Sequence, residues 1–299
     1  MPAKEEKPTS LRYAFYTGCT TPYRLPGYEV SSRKVAEALE IEFVDMKEPN
    51  CCGLPVEHVN WIAGMTLSAR NLSLAEEMGL DMAVICNGCA GMLARTNAKL
   101  KEDKSLRERV NAILKPEGLE FKGKINVKHL AKILVEDLGE EKLRKSIVKR
   151  FHGMKAAVHY GCHVLMPSKL LGVEDPDFPE FLDRIVEATG AKSVGYAEKR
   201  LCCGGLLQSI NEEISLRLTG EKLVNIKDAE VNALVTMCPF CFVSYSRNQQ
   251  TAAEMVGENL DIPVVHYTQL LGLALGIPPD ELELGESVPD PDVILRFLL

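Results

Sequence analysis

The sequence predicts an α/β protein made of two tandem, duplicated domains, each built on a parallel sheet. Short apolar runs typical of buried strands alternate with longer stretches of helical periodicity. The same order of elements occurs twice along the 299 residues. All ten cysteines fall into two sets of five with nearly equal spacing, so the duplication extends to the residues that carry chemistry.

Four predicted strands and their helices make up the first half, a domain at 11–150 that follows a charged tail at 1–10. Each strand is a short apolar or aromatic run, and the four runs lie at 11–18, 41–46, 81–85 and 125–129. Helical periodicity covers 29–39, 59–78, a stretch that begins at Cys86, and a stretch that ends at Gly139. The charged helical stretch 99–119, closed by Pro116 and Gly118, predicts a surface excursion.

The second half repeats this order in a domain at 151–278, and a C-terminal tail at 279–299 follows it. The predicted boundary between the domains lies near residues 140–153. Strands are predicted at 154–161, 192–197, 233–237 and 262–266, with helices at 179–190, at 211–227, after Cys238 and up to Gly276. Such alternation implies right-handed crossovers and a parallel, Rossmann-like sheet in each domain.

The cysteines follow the predicted strands. The two sets read C-x31-CC-x33-C-x2-C, at Cys19, Cys51, Cys52, Cys86 and Cys89, and C-x39-CC-x34-C-x2-C, at Cys162, Cys202, Cys203, Cys238 and Cys241. Ligands of open α/β sheets bind at the carboxyl ends of the strands, so we expect each set to converge at one rim. The last cysteine of each set begins a helix, where free N–H groups and the dipole favour the thiolate.

The composition excludes several classes of protein. The chain carries 35 Lys and Arg against 42 Asp and Glu, whereas a nucleic-acid-binding protein needs a basic face. Residues 1–10 lack the apolar run of a secretory signal, and the longest apolar stretch, 270–277, is far shorter than the roughly 20 residues of a membrane span. We therefore expect a cytoplasmic protein with no membrane span and no nucleic-acid partner.

In a long chain from a reducing compartment, this cysteine pattern indicates metal binding rather than disulfides. Structural zinc takes four ligands and each set offers five, while ordinary cubane clusters commonly use compact cysteine runs that do not occur here. A vicinal pair fits more easily onto two metal atoms of an extended cluster, which favours a larger iron–sulfur assembly in each half. Two alternatives stay open: structural zinc with a spare cysteine in one half, and a thioredoxin-like pair at Cys86–Cys89 or Cys238–Cys241.

The two sets resemble the CCG-domain motif, and nearly the whole chain, from about residue 11 to 285, resembles the B subunit of heterodisulfide reductase. The similarity extends beyond the cysteines to the stretches 16–19, 69–79, 86–89, 159–163, 185–192 and 270–276. The motif is specific for the domain family and less specific for the substrate. Related subunits occur in bacterial sulfur and lactate metabolism.

The resemblance implies two noncubane [4Fe-4S] clusters, one on each five-cysteine set, that together cleave a disulfide. In the methanogen enzyme that disulfide joins coenzyme M to coenzyme B, and the substrate is expected between the clusters, with each sulfur at an iron and one electron from each cluster. Electrons are expected from the family's small iron–sulfur C subunit and its flavin-bearing A subunit. The alternatives are a related protein that acts on a sulfur-carrier protein or another thiol or disulfide, and a non-catalytic electron-transfer subunit with one cluster and one zinc.

Other residues near the cysteines are weaker candidates. His159 and His163 flank Cys162, so each is a candidate proton donor or hydrogen-bond donor to sulfur, or else a histidine with a structural role at a strand end. His129 and His266 begin apolar helices, and we expect structural roles for both. Four cations near the cysteine loops are candidates for binding an anionic substrate, with solvated surface as the alternative: Arg24, Lys169, Lys199 and Arg200.

One departure from the methanogen-type pattern concerns the second Cys-Cys-Gly. Gly205 is followed by Leu206, Leu207 and Gln208, where that pattern tends to continue with glycine. The sequence therefore predicts a bulkier wall beside the second site.

Overall fold

Two four-stranded parallel sheets, one in each half of the chain, form the fold. The computed structural model describes residues 11–166, 168–173 and 175–299. The prediction of an α/β protein with two tandem, duplicated domains is confirmed. The tail predicted for residues 1–10 lies outside the described residues.

The first sheet has the strand order β2-β1-β3-β4. Its strands are β1 (Leu11–Tyr16), β2 (Ile41–Asp45), β3 (Met82–Val84) and β4 (Val127–His129). Its helices are α1 (Thr21–Arg24), α2 (Pro26–Ala38), α3 (Leu54–Glu57), α4 (Trp61–Met78), α5 (Asn87–Glu102), α6 (Lys104–Leu114), α7 (Leu130–Lys132) and α8 (Glu140–Lys145). A 3₁₀ turn at Lys115–Glu117 follows α6, and a π-helical stretch at Ile133–Gly139 joins α7 to α8.

The second sheet repeats the pattern with the order β6-β5-β7-β8. Its strands are β5 (Lys155–His159), β6 (Lys192–Val194), β7 (Ala233–Thr236) and β8 (Val264–His266). Its helices are α9 (Cys162–Leu165), α10 (Phe181–Ala188), α11 (Glu212–Asp228), α12 (Pro239–Tyr245), α13 (Gln249–Val256) and α14 (Tyr267–Ala274). Short 3₁₀ helices lie at Ser168–Leu171 and Gly205–Leu207.

The two halves match at the level of single hydrogen bonds. Asn60 caps α4 by accepting from a backbone N–H in the first turn at 3.1 Å, and Asn211 caps α11 in the same way at 3.1 Å. Both caps stand eight positions after the second cysteine of their vicinal pair. The duplication therefore preserves backbone geometry from the cysteine turn into the following helix.

The halves share one hydrophobic core. Helix α2 of the first half packs on α14 of the second, and α5 packs on α9. Tyr28 in α2 is fully buried and donates its hydroxyl to the Met237 carbonyl at 3.0 Å, while Ser31 and Thr268 join their hydroxyls at 2.8 Å. These contacts hold the two strand rims that carry the cysteines against each other.

The segment 279–299, predicted as a C-terminal tail, packs on the fold. It contains 3₁₀ helices at Pro279–Leu282, Leu284–Glu286 and Pro291–Phe297. Leu282 and Ile294 are fully buried, and Leu298 forms an antiparallel bridge with Phe151. Across the described part of the chain, no helix combines the length and the apolar character that crossing a membrane requires.

Candidate metal centres

The glycine after each vicinal pair fixes the turn that presents the two sulfurs. Gly53 and Gly204 have φ values of 90° and 80°, in the left-handed region that glycine adopts without strain. A Cβ on Gly53 would lie 2.1 Å from the Gly64 carbonyl oxygen, and one on Gly204 would lie 2.7 Å from the Ser215 carbonyl oxygen. The backbone of the vicinal turn therefore packs directly on the following helix, with no space for a side chain.

Hydroxyl groups from those helices hold the turns in place. Ser68 in α4 donates to the Cys52 carbonyl, and Thr219 in α11 donates to the Cys203 carbonyl at 2.8 Å. The Gly204 N–H points at the Cys202 sulfur, 3.4 Å away. Backbone N–H groups that face sulfur stabilise thiolate and cluster sulfur alike.

The two Cys-x-x-Cys segments start α5 and α12. Cys86 and Cys238 are the N-cap residues, and Cys89 and Cys241 lie in the first turns, as the sequence predicts. All four are buried. The solvent-facing part of each set comprises its first two cysteines, because Cys19 is exposed and Cys51, Cys162 and Cys202 are half-buried.

Each predicted set converges, and the two sets also touch. Cys162 and Cys202 have their sulfurs 3.7 Å apart. Close approach between neighbouring thiols links the ten cysteines in one series, which runs in the order Cys19, Cys51, Cys52, Cys89, Cys86, Cys238, Cys241, Cys203, Cys202 and Cys162. The link between the halves is the buried pair Cys86–Cys238.

One cysteine of each vicinal pair has a lowered pKa, whereas neighbouring thiols and burial raise the pKa of the first cysteine of each set, Cys19 and Cys162. Hydrogen bonds that Cys51 and Cys89 donate lower the pKa of Cys52 to about 4. In the second set, hydrogen bonds from Cys162 and Cys203 lower the pKa of Cys202 to about 2. The thiolate is the form that binds metal, so each site holds a ready ligand in its vicinal pair.

A small cavity lies inside each sulfur set, and each cavity is lined partly by the other half. Pro239 and Phe240, between the last two cysteines of the second set, reach the first cavity, and Asn87 and Gly88 reach the second. Leu206 lines both cavities. Leu206, the bulky residue predicted to lie beside the second site, therefore also lines the first site.

The donor sets fit iron–sulfur clusters better than zinc. Each cavity is lined by five cysteines with mostly apolar or small residues around them, and no carboxylate or ammonium group is among the described residues that line either one. Four thiolates complete a zinc tetrahedron, whereas a fifth sulfur suits a centre with more than one metal atom. The residues present therefore fit the group that the sequence predicts.

The two candidate histidines lie in different environments. His163 is half-buried, and its Nδ1 lies 3.2 Å from the Cys162 sulfur. His159 is completely buried, and burial lowers its pKa well below the ordinary value. A ligand nitrogen of His159 lies within 4.8 Å of the Cys203 and Cys241 sulfurs. Both histidines therefore face the second cysteine set.

The histidines expected to be structural are indeed buried in packing contacts. His129 caps α7 by accepting the Ala131 N–H at 3.2 Å. His266 is stacked between Tyr28 and Phe242, with ring centroids 3.8 Å and 4.3 Å away.

The four candidate cations do not converge on either sulfur set. Arg24 and Lys169 are exposed. Lys199 and Arg200 line a separate cavity of about 1190 Å³ that reaches Cys162, but both already form ion pairs, Lys199 with Asp183 at 2.6 Å and Arg200 with Asp177.

Two polar residues beside the sites escaped the sequence reasoning. Asn71 in α4 and Lys222 in α11 are buried and donate hydrogen bonds to the backbone just before or within the vicinal cysteine turns. A comparison of the two halves of the sequence would have identified both residues, because each stands nineteen positions after the second cysteine of its vicinal pair.

Comparison with known proteins agrees with this geometry. A family model of the CCG cysteine-rich domain matches residues 13–94 and 156–245. The chain is 40% identical over 283 residues to the B subunit of the ferredoxin/F(420)H(2)-dependent CoB-CoM heterodisulfide reductase of Methanosarcina acetivorans, covering 92% of this chain and 93% of that protein. It is 32% identical over 279 residues to the 8-methylmenaquinol:fumarate reductase membrane anchor subunit of Wolinella succinogenes, covering 93% and 97%.

Among solved structures, a hypothetical protein from Helicobacter pylori matches 95% of the chain with a TM-score of 0.73 and 15% identity. This chain spans 54% of the length of that structure. At this identity the match supports the fold and carries no information about the reaction.

Proposed function

This chain belongs to the CCG family of cysteine-rich domain proteins as a subunit of the heterodisulfide reductase type, and from that premise we propose that it reduces a disulfide to two thiols. It acts within a larger oxidoreductase complex. The observation that carries the proposal is the contact between the two sulfur sets at Cys86 and Cys238. Two adjacent one-electron sites match a reaction that takes two electrons.

Each five-cysteine set is proposed to hold one noncubane [4Fe-4S] cluster. When bound, the clusters supply the two electrons that break the sulfur–sulfur bond. The reaction consumes these electrons and two protons, and each sulfur of the substrate leaves as a thiol. The electrons come from separate proteins of the complex, proposed here as a small iron–sulfur C subunit and a flavin-bearing A subunit.

The chain's own residues keep water from the buried parts of the sites. Leu54, Leu206 and Phe240 line both cavities, and they separate the inner sulfurs from solvent. The exposed Cys19 and half-buried Cys162 lie at the open side of each set. A substrate therefore approaches from the side of the first cysteines.

His163 is the better of the two candidate proton donors. It is half-buried and therefore reached by solvent, and its Nδ1 lies 3.2 Å from the Cys162 sulfur at the open side of the second set. His159 has no exposed surface and its pKa lies far below the ordinary value because of burial. We therefore assign proton donation to His163 and not to His159.

The large cavity beside Cys162 favours a second candidate substrate. Among the described residues that line it, five carboxylates stand against three cations: Asp177, Glu180, Asp183, Glu187 and Glu198 against Arg184, Lys199 and Arg200. Each of these cations is already ion-paired. An anionic disulfide of the coenzyme M–coenzyme B type finds no free cation there, so the acidic lining favours a thiol or disulfide on a carrier protein with basic groups.

Metal and acid-labile sulfide analysis of the anaerobically purified chain tests the proposal. We expect about eight irons per chain and no zinc, from two four-iron clusters. About four irons with one zinc would instead support the electron-transfer role, and an iron-free chain would refute both readings. Turnover with the coenzyme M–coenzyme B disulfide, compared with a panel of other small and protein-bound disulfides, then identifies the substrate.

A further inference from the structure

The duplicated frame allows the two cysteine sites to be compared position by position. Equal spacing from the vicinal pairs matches Ser68 with Thr219, and both donate to the carbonyl of the second vicinal cysteine. Where matched positions carry different side chains, the two otherwise equivalent cysteine sites have different surroundings. Two such differences lie directly beside the sulfurs.

The first difference is Lys222, which stands where the first half has Asn71. Asn71 donates its amide to the Asn50 carbonyl at 3.1 Å. Lys222 donates to the carbonyl of Leu201, the counterpart of Asn50, and to that of Lys199 at 3.1 Å. Both side chains therefore support the same turn. One is a neutral amide, and the other is an amine on a residue only 2% exposed to solvent.

The amine of Lys222 lies at the second vicinal turn, where it donates to the carbonyl of Leu201, the residue before Cys202. Burial lowers the pKa of Lys222 to about 8. Negative charge on nearby groups opposes this lowering, and the largest opposing effects come from Cys241, Cys203 and Cys202, followed by Glu198. Two backbone carbonyls accept its hydrogen bonds, as an ammonium group requires. Its charge is therefore best balanced by thiolates and by any negative group that they hold.

The second difference is His159, which stands where the first half has Tyr16. The Tyr16 hydroxyl is already bound, because it donates to the Asn50 carbonyl at 2.7 Å. Neither ring nitrogen of His159 has a hydrogen-bond partner, although the side chain is completely buried. A nitrogen of this ring lies within 4.8 Å of the Cys203 and Cys241 sulfurs.

A buried and unpaired N–H is costly unless something accepts its hydrogen bond. The backbone of Lys199 lies near the ring, but no hydrogen bond of normal geometry forms with it. The Cys203 and Cys241 sulfurs lie within 4.8 Å of a ring nitrogen, so they and whatever they bind are acceptors within reach of this ring. The imidazole is neutral at this depth, so it offers one N–H to that site.

We propose that the second cysteine set holds its iron–sulfur cluster at a higher reduction potential than the first set does, and that Lys222 and His159 impose the difference. Reduction adds negative charge to a cluster. A buried ammonium and an N–H donor both stabilise that charge, and hydrogen bonds and local charge are established determinants of cluster potential. Electrons entering the chain therefore settle on the second site before the first.

One feature of the fold opposes this order. Cys19 is exposed and Cys162 is half-buried, and contact with water also stabilises a reduced cluster. Cys51 and Cys202 are both half-buried, so the two sets differ in solvent contact at one sulfur of five, whereas the buried amine of Lys222 interacts electrostatically with three sulfurs of the second set. The second site remains the one of higher potential.

The inference rests on the proposed two-cluster function. Its test begins with iron and sulfide content, so that a failure of the proposed function is distinguished from a failure of the inference. A wild-type chain without about eight irons would overturn the proposed function. With clusters present, an anaerobic redox titration followed by electron paramagnetic resonance measures both potentials. The variants Cys52→Ser and Cys203→Ser, each lacking one site, assign the signals to the first and second sites.

Exchange of the matched residues provides the decisive variants. We expect Lys222→Asn to lower the potential of the second site and Asn71→Lys to raise that of the first. Lys222→Met keeps the volume without the charge, and it replaces Lys222→Asn if that variant does not fold. A second site whose potential is unchanged in a fully loaded Lys222→Met variant would refute the role of Lys222.

His159 has its own pair of variants. His159→Leu removes the donor and is expected to lower the potential of the second site, whereas His159→Gln keeps an N–H and is expected to restore most of it. Tyr16→Phe is the matched control in the first half and leaves the potential of the first site unchanged, because that hydroxyl serves the Asn50 carbonyl. Strong nitrogen hyperfine coupling from a directly coordinated His159, or a first site of higher potential in the wild type, would overturn the inference.

Discussion

At the scale of single residues, the glycine of each vicinal cysteine motif is as specific as the cysteines themselves. Its positive φ excludes most residues, and the helix that follows leaves no room for a Cβ. Gly53 and Gly79 separate these two requirements. Both have positive φ, but a Cβ on Gly79 would have no atom within 4 Å.

Replacing each of these glycines with alanine therefore gives different results. We expect Gly79→Ala to cost about 1–2 kcal/mol of stability from backbone strain alone, with iron content unchanged. Gly53→Ala adds a clash with the Gly64 carbonyl and displaces the vicinal turn, so the first site loses its iron. Iron analysis and thermal unfolding of both variants check this, and a fully loaded Gly53→Ala chain would contradict it.

At the scale of elements, the helices after the vicinal turns position the residues beneath the sulfurs. Helix α11 carries both Thr219 and Lys222, so its first turn must be fixed for those side chains to reach the cysteine turn. Asn211 supplies that fixed start by capping the helix. Asn248, by contrast, precedes α13 without a side-chain cap.

Removal of the cap is therefore expected to destabilise α11 selectively. Asn211→Ala should cost about 1 kcal/mol, since an unpaired N–H remains at the helix start. Asn60→Ala should cost a similar amount in the matched helix of the first half, and Asn248→Ala close to nothing. Urea unfolding of the three variants measures these differences. Equal losses at Asn211 and Asn248 would show that capping does not stabilise α11.

At the scale of the whole molecule, the sequence predicts the parts better than their assembly. The parallel sheets, the duplication and the convergence of each cysteine set follow from apolar periodicity and from the shared edge of parallel strands. The two parallel sheets are seen directly in the structure. The contact of Cys86 with Cys238 does not follow, because it depends on how α2 packs on α14 and α5 on α9. No local pattern encodes that packing.

The same limit explains two other differences between sequence and structure. The segment 279–299 has the composition of a tail, but it packs because Phe151 and the buried core offer it a surface that only the folded chain creates. In the sequence, Lys222 is one lysine among others in a helical pattern. Only comparison of the two halves shows that it lies near Cys203. Alignment of the halves would have found it, while charge and periodicity alone could not.

Mutual dependence of the halves is the last prediction. Phe240 lines the first cavity, and Asn87 donates to the Tyr160 carbonyl beside the second, so each site is completed by the other half. We expect residues 11–150 and 151–299 to bind little iron when produced separately, and to bind close to the full amount when produced together from a chain cut between 140 and 153.

The co-produced halves are the control for cleavage itself, since they differ from the separate halves only in the presence of the partner. Iron and sulfide content, with electron paramagnetic resonance of the reduced samples, provides the measurement. If either half alone carried a cluster with the spectrum of the intact chain, that site would be complete within one domain. The contact between Cys86 and Cys238 would then be a consequence of packing and not a requirement for assembling the sites.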